Sequence, residues 1–142
     1  MANKFTAKAS IAINAPKDKV WEALTDPDMI REYLFGTETS TDWKKGSPIT
    51  YKGTWKGQAY EDKGTIIDII PEKLLHTTYL SGMSGQEDVP ENYANVIYEI
   101  SEQSGKTVLS ITQDNNDTEE SRQHSEQNWN TVLEGLKLLV EA

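Results

Sequence analysis

Apolar residues recur along this chain at two different periods, and each change of period marks an element boundary. Phe5, Ala7, Ala9, Ile11 and Ile13 alternate with polar residues, the period-2 pattern of a half-buried strand over Phe5–Ile13. Asn14-Ala15-Pro16 stops it, and Pro16 suits a first helical position, where its missing N–H forfeits no intrahelical bond. Helical spacing follows over Lys17–Leu24, with Val20, Trp21 and Leu24 on one face and Asp18 in the first turn, where the helix dipole favours a carboxylate. Thr25-Asp26-Pro27 ends that helix and caps a second, short one over Asp28–Tyr33.

Residues 37–47 are polar and read as a loop, with Trp43 as its one large apolar residue, plugging a core edge. Period-2 patterning then predicts strands over Ile49–Trp55, Gln58–Ile70 and Lys73–Leu80, the first two joined by a turn at Lys56-Gly57. Ser81–Asn92 reads as a long loop. A hairpin over Tyr93–Ser101 and Lys106–Gln113 turns at Ser104-Gly105, and Asp114–Asp117 leads into the last helix. There Asp117 is the expected N-cap, with Glu120 reaching back in a capping box.

That last helix is divided along its length. Trp129, Val132, Leu133, Leu136, Leu139 and Val140 form one apolar stripe, which continues toward the N-terminus through Glu126, Ser125 and Arg122. The C-terminal half is expected in a core, the N-terminal half beside something wetter. Gly135, about 1 kcal/mol less favourable than alanine in a helix interior, signals close approach of another element. The element order is β-α-α-β-β-β-β-β-α with short connections. It predicts an α+β fold in which a curved antiparallel six-stranded sheet, with strand one at its edge, wraps around the long C-terminal helix.

Composition narrows the function classes. The 142 residues suit a single domain over 1–142, with one core. The absence of cysteine removes disulfides, thiolate metal sites and cysteine nucleophiles. A net charge of -9 opposes nucleic acid and anionic membranes as partners. No run reaches the roughly 20 apolar residues of a membrane span and the polar start has no hydrophobic leader, so a cytoplasmic protein without membrane insertion is expected. Two separated histidines give no metal-ligand spacing, and the run from Asp114 lacks the glycine and glutamate of a calcium loop, so no metal or cofactor is expected.

The run Ala15–Tyr33 (APKDKVWEALTDPDMIREY), Trp43 with Lys45-Gly46, Gly64–Leu74, His76–Tyr79 and Trp129–Lys137 together resemble the activator-of-Hsp90-ATPase-like branch of the START-related, helix-grip (SRPBCC) superfamily. The resemblance spans nearly the whole chain in order. It implies the helix-grip fold, a cavity between helix and sheet of the kind in which superfamily members bind lipids, sterols or polyketides, and a place in stress responses. Tyrosines stand at Tyr33 and Tyr79 where that family usually has tryptophan, which alters the polarity of the cavity.

The residues themselves support a cavity. Tyr33, Phe35, Trp43, Tyr51, Trp55, Tyr60, Tyr79, Tyr98 and Trp129 exceed what a small core needs, and several carry groups that orient a ligand. Leu133 lies on the stripe beside them, and Arg122 and Ser125 fall at the wetter end. Arg122 has two readings: a clamp for an anionic ligand group, or half of an i, i+4 ion pair with Glu126. The preferred function is non-enzymatic binding of a hydrophobic or aromatic small molecule, with no catalytic residue assigned. A cyclase- or hydrolase-like enzyme stays open and needs a titratable group in the cavity, from His76, Asp62, Glu99 or Glu126. A chaperone-interaction module, acting on an Hsp90-type partner or as a homodimer, also stays open.

Overall fold

A computed structural model describes residues 5–82 and 85–142, and for Trp55 the backbone alone. Strand β1 (Phe5–Ile13) is followed by helices α1 (Lys17–Thr25) and α2 (Pro27–Tyr33), strands β2 (Glu38–Ser40), β3 (Pro48–Trp55), β4 (Gln58–Ile70) and β5 (Leu74–Tyr79), then a 3-10 turn at Pro90–Asn92. Strands β6 (Ala94–Gln103) and β7 (Lys106–Asn116) lead into α3 (Glu119–Glu141). The strands form one antiparallel sheet in the order β1-β7-β6-β5-β4-β3-β2. It is the expected curved sheet around a long C-terminal helix, with one strand more than the pattern predicts. The addition is β2, inside the loop over residues 37–47, and β1 stands at the opposite edge.

β4 bends where it changes partners. Its first part, through Thr65, pairs with β3, and from Ile66 onward it pairs with β5 across a register shift between Ile66 and Asp68. A Cβ on Gly64 would lie 1.7 Å from the Thr78 carbonyl oxygen, so the bend brings two backbones closer than any side chain allows. The β6–β7 hairpin closes through Ser104 and Gly105, both at positive φ, as a two-residue turn of the primed kind demands.

Helix boundaries follow local chemistry. Asp26 accepts from the Asp28 N–H and Pro27 opens α2, so that helix starts one residue before the expected Asp28. Pro16 is the N-cap of α1 and not its first helical residue; its carbonyl accepts from Lys19 and Val20. For α3 the cap is Thr118, whose hydroxyl accepts from Ser121 N, in place of Asp117 with Glu120. The shift has a cause: β7 runs on to Asn116, whose amide donates to the Phe5 and Gln113 carbonyls and holds it in the sheet.

One core fills the C-terminal half of the grip. Leu133, Leu136 and Val140 of α3 meet Val20, Ala23 and Leu24 of α1 and the inward Ile13, Val96, Ile100, Leu109 and Ile111 of the sheet. Gly135 makes the close approach expected of it, because a Cβ there would sit 3.4 Å from Tyr33 Cβ. The Tyr33 hydroxyl donates to the Ala23 carbonyl at 2.8 Å, tying α2 to α1.

Candidate functional site

Where α3 rises above this core, the sheet and helix separate around a cavity of about 390 Å³. The helix contributes Ser125, Asn128, Trp129 and Val132, one stripe at i, i+3, i+4 and i+7. Tyr51 of β3, Tyr60 and Asp62 of β4, and Thr77 and Tyr79 of β5 form the sheet wall. Ser81, just past β5, Val96 and Tyr98 of β6 and Gln113 of β7 complete it. Leu34, Phe35 and Thr37 close the α2 end, and the exposed Phe35 and Asn128 form the rim. A second pocket of about 30 Å³ continues inward, bounded by Tyr33, Trp43 and Thr39 among others. Among the described residues, Thr39 Oγ1 is the buried side-chain oxygen with no hydrogen-bond partner.

Polar groups on the wall are fixed by hydrogen bonds. Trp129 Nε1 donates to Gln113 Oε1 at 2.8 Å and stands edge-on to Tyr98. Ser125 donates to Asn116 Oδ1 at 2.8 Å, and the Thr37 and Tyr60 hydroxyls share a bond of 2.6 Å. Tyr60 lies over Gly53, its cross-strand partner, where a Cβ would meet the hydroxyl oxygen at 2.4 Å. Tyr79 donates to Asp62 Oδ2 at 2.7 Å, and Gly82 N donates to Oδ1 at 2.9 Å.

Burial pushes the phenols of Tyr33, Tyr51, Tyr79 and Tyr98 well above their ordinary value of about 10. For Tyr51 a hydrogen bond from Thr77 works against that burial while the Asp62 charge adds to it; for Tyr79 the bond to Asp62 adds further. At neutral pH these rings present O–H groups and no phenolate. Asp62 is the one acidic side chain on a wall that, among the described residues, has no lysine, arginine or histidine.

Of the residues expected from sequence, the structure brings Phe35, Tyr51, Tyr60, Tyr79, Tyr98, Ser125 and Trp129 around the larger cavity. It sends others elsewhere. Tyr33 and Trp43 border only the small inner pocket, and Leu133 is fully buried in the core. Arg122 lines neither pocket: its guanidinium is held by Glu119 and Glu126, so the ion-pair reading replaces the clamp. The Trp55 side chain lies outside the described residues. Of the titratable candidates, Asp62 is buried on the wall, whereas His76 bonds Asn95, Glu99 is exposed and Glu126 is engaged by Arg122 and Lys8 N. Asp62 was weighed only as a candidate acid or base, and Thr37, Thr77, Ser81, Gln113 and Asn128 were missed on the wall; the strand residues Asp62 and Thr77 share the inward parity of Ile66 and Leu75, a signal their polarity obscured.

A bent antiparallel sheet gripping one long helix, with a cavity beside the helix's wetter half, defines the helix-grip class. Within it the chain belongs to the family described as activator of Hsp90 ATPase homolog 1-like protein, whose model matches residues 14–141. It is 48% identical to ChR145 from Cytophaga hutchinsonii, covering 99% of this chain and 97% of that one, with a TM-score of 0.86. CV1439 from Chromobacterium violaceum shares the fold at 20% identity, with a TM-score of 0.79 and coverage of 100% and 99%. So does the Aha1 dimer from Colwellia psychrerythraea, at 20% identity, a TM-score of 0.74 and 96% coverage of both chains. No protein of curated function matches the chain. Among the described residues, no helix is long and apolar enough to cross a membrane.

Proposed function

We propose that this protein binds a hydrophobic or aromatic small molecule, without chemistry, in the cavity between α3 and the sheet. The observation that carries the reading is the cavity itself: about 390 Å³, walled by aromatic rings whose hydroxyl and indole groups are held in place. Asp62 supplies one titratable group, as an enzymatic reading requires, with the Tyr79 hydroxyl hydrogen-bonded to it, but the described lining residues include no histidine, lysine or second carboxylate. Binding is therefore the simpler use of the wall.

The test is a titration with the uncharged probe N-phenyl-1-naphthylamine. Uptake is expected to raise the melting temperature and quench tryptophan emission through Trp129, and Val132→Phe, which grows a ring into the cavity, is expected to abolish both effects. Uptake that is unchanged in a folded Val132→Phe variant would place binding elsewhere. A homodimer is the assembly to examine alongside, since the Colwellia relative is a dimer. Light scattering in the absence of ligand separates that assembly, or a chaperone-type partner, from ligand-driven behaviour.

A further inference from the structure

We infer that the cavity selects an organic cation: an aromatic or aliphatic body carrying a protonated amine that donates to Asp62. The inference rests on the binding reading above and names the ligand class. Asp62 is 8% exposed and, among the described residues, has no cationic side chain paired with it. Buried carboxylates are ordinarily matched by a positive charge or a full set of donors. Among the described residues two donors reach it, Tyr79 O–H and Gly82 N–H, against a capacity of about four.

The carboxylate stands on the cavity wall. Around it the walls are aromatic, and ring faces attract a cation through their π electrons while remaining apolar toward the rest of a ligand. The Asp62 charge already bears on the cavity, since it helps to hold the Tyr51 and Tyr79 phenols in their neutral form. The same charge opposes a ligand carboxylate or phosphate, and no lysine, arginine or histidine on the described wall offsets it. A net charge of -9 raises the local concentration of cations at long range and acts in the same direction.

Isothermal titration calorimetry with three probes of matched shape tests the assignment: 2-naphthylmethylammonium, the neutral 2-naphthalenemethanol and the anion 2-naphthoate. The ammonium is expected to bind at least tenfold more tightly than the alcohol, with the naphthoate weakest. Asp62→Asn, which keeps an acceptor for Tyr79, is expected to cut ammonium affinity at least tenfold and alcohol affinity by a smaller factor, so that the preference for the ammonium is lost. Alcohol or naphthoate binding as tightly as the ammonium in the unmodified protein would overturn the charge assignment and leave the cavity reading standing. An equal loss for all three probes in Asp62→Asn would also overturn it. Failure of all three to bind the unmodified protein would remove the cavity reading, and this inference with it.

Discussion

Gly135 and Leu136 are neighbours in α3 with opposite tasks. Leu136 is 1% exposed and fills the core, so Leu136→Ala is expected to cost about 2–5 kcal/mol in denaturant unfolding. Gly135 keeps the helix thin where Tyr33 passes, at a contact of 3.4 Å that a methyl group just tolerates. Gly135→Ala should therefore stabilise, by up to about 1 kcal/mol through helix propensity. Gly135→Leu should destabilise by about 1–3 kcal/mol, because its branched end has to displace Tyr33. Equal melting temperatures for the two variants would mean that α2 yields at that crossing. Arg122→Ala is expected to leave both probe affinity and melting temperature near those of the parent: its partners Glu119 and Glu126 are on its own helix near the surface, and it touches neither pocket.

At the scale of elements, α3 secures β1 as well as filling the grip. β1 is an edge strand, and its free edge is met by helix side chains: Glu126 accepts from Lys8 N at 3.2 Å and Glu141 from Asn14 N at 2.7 Å. Lys137 donates to the Ala12 carbonyl at 3.2 Å. Carboxylates and an ammonium on an edge are what keep a strand from pairing with a second molecule. The double variant Glu126→Ala/Glu141→Ala is expected to self-associate in a concentration-dependent way by light scattering, with secondary structure retained. A monodisperse variant would show that the edge is guarded otherwise. None of this edge chemistry is visible in the sequence, because residues 118 to 127 positions apart supply it. Long amphipathic elements were legible, since burying a stripe or a strand face leaves a period. β2 was not: three residues, Glu38-Thr39-Ser40, bury one side chain and carry no hydrophobic alternation. The N-cap fell one residue away for a similar reason, two adjacent residues both being able to cap until Asn116 fixes where the strand ends. In the cavity, aromatic size pointed to the right wall, but identity alone did not separate rings facing the larger cavity from Tyr33 and Trp43, which border only the inner pocket.

At the scale of the whole molecule, buried tyrosines tie stability to alkaline pH. Tyr33, Tyr51, Tyr79 and Tyr98 have folded pKa values raised above the unfolded value of about 10, with burial as the leading cause. For a raised group the stabilisation is complete below the unfolded pKa and is lost as pH climbs toward the folded one, because the unfolded chain then releases a proton that the folded chain retains. The slope is up to about 1.4 kcal/mol per pH unit for each such tyrosine. Unfolding in denaturant should therefore become progressively easier above a pH of about 10, and phenolate absorbance should appear in step with loss of tertiary signal. A chain with net charge -9 also repels itself more strongly as lysines lose their protons, which drives unfolding in the same direction. Salt separates the two contributions, since it screens charges at the surface and hardly reaches a phenol in the cavity wall. Tyr98→Phe, which removes one titrating group from the wall, should flatten the alkaline slope in high salt. If all six tyrosines ionised near their ordinary value while the fold stayed intact, the cavity would be far wetter than its geometry indicates.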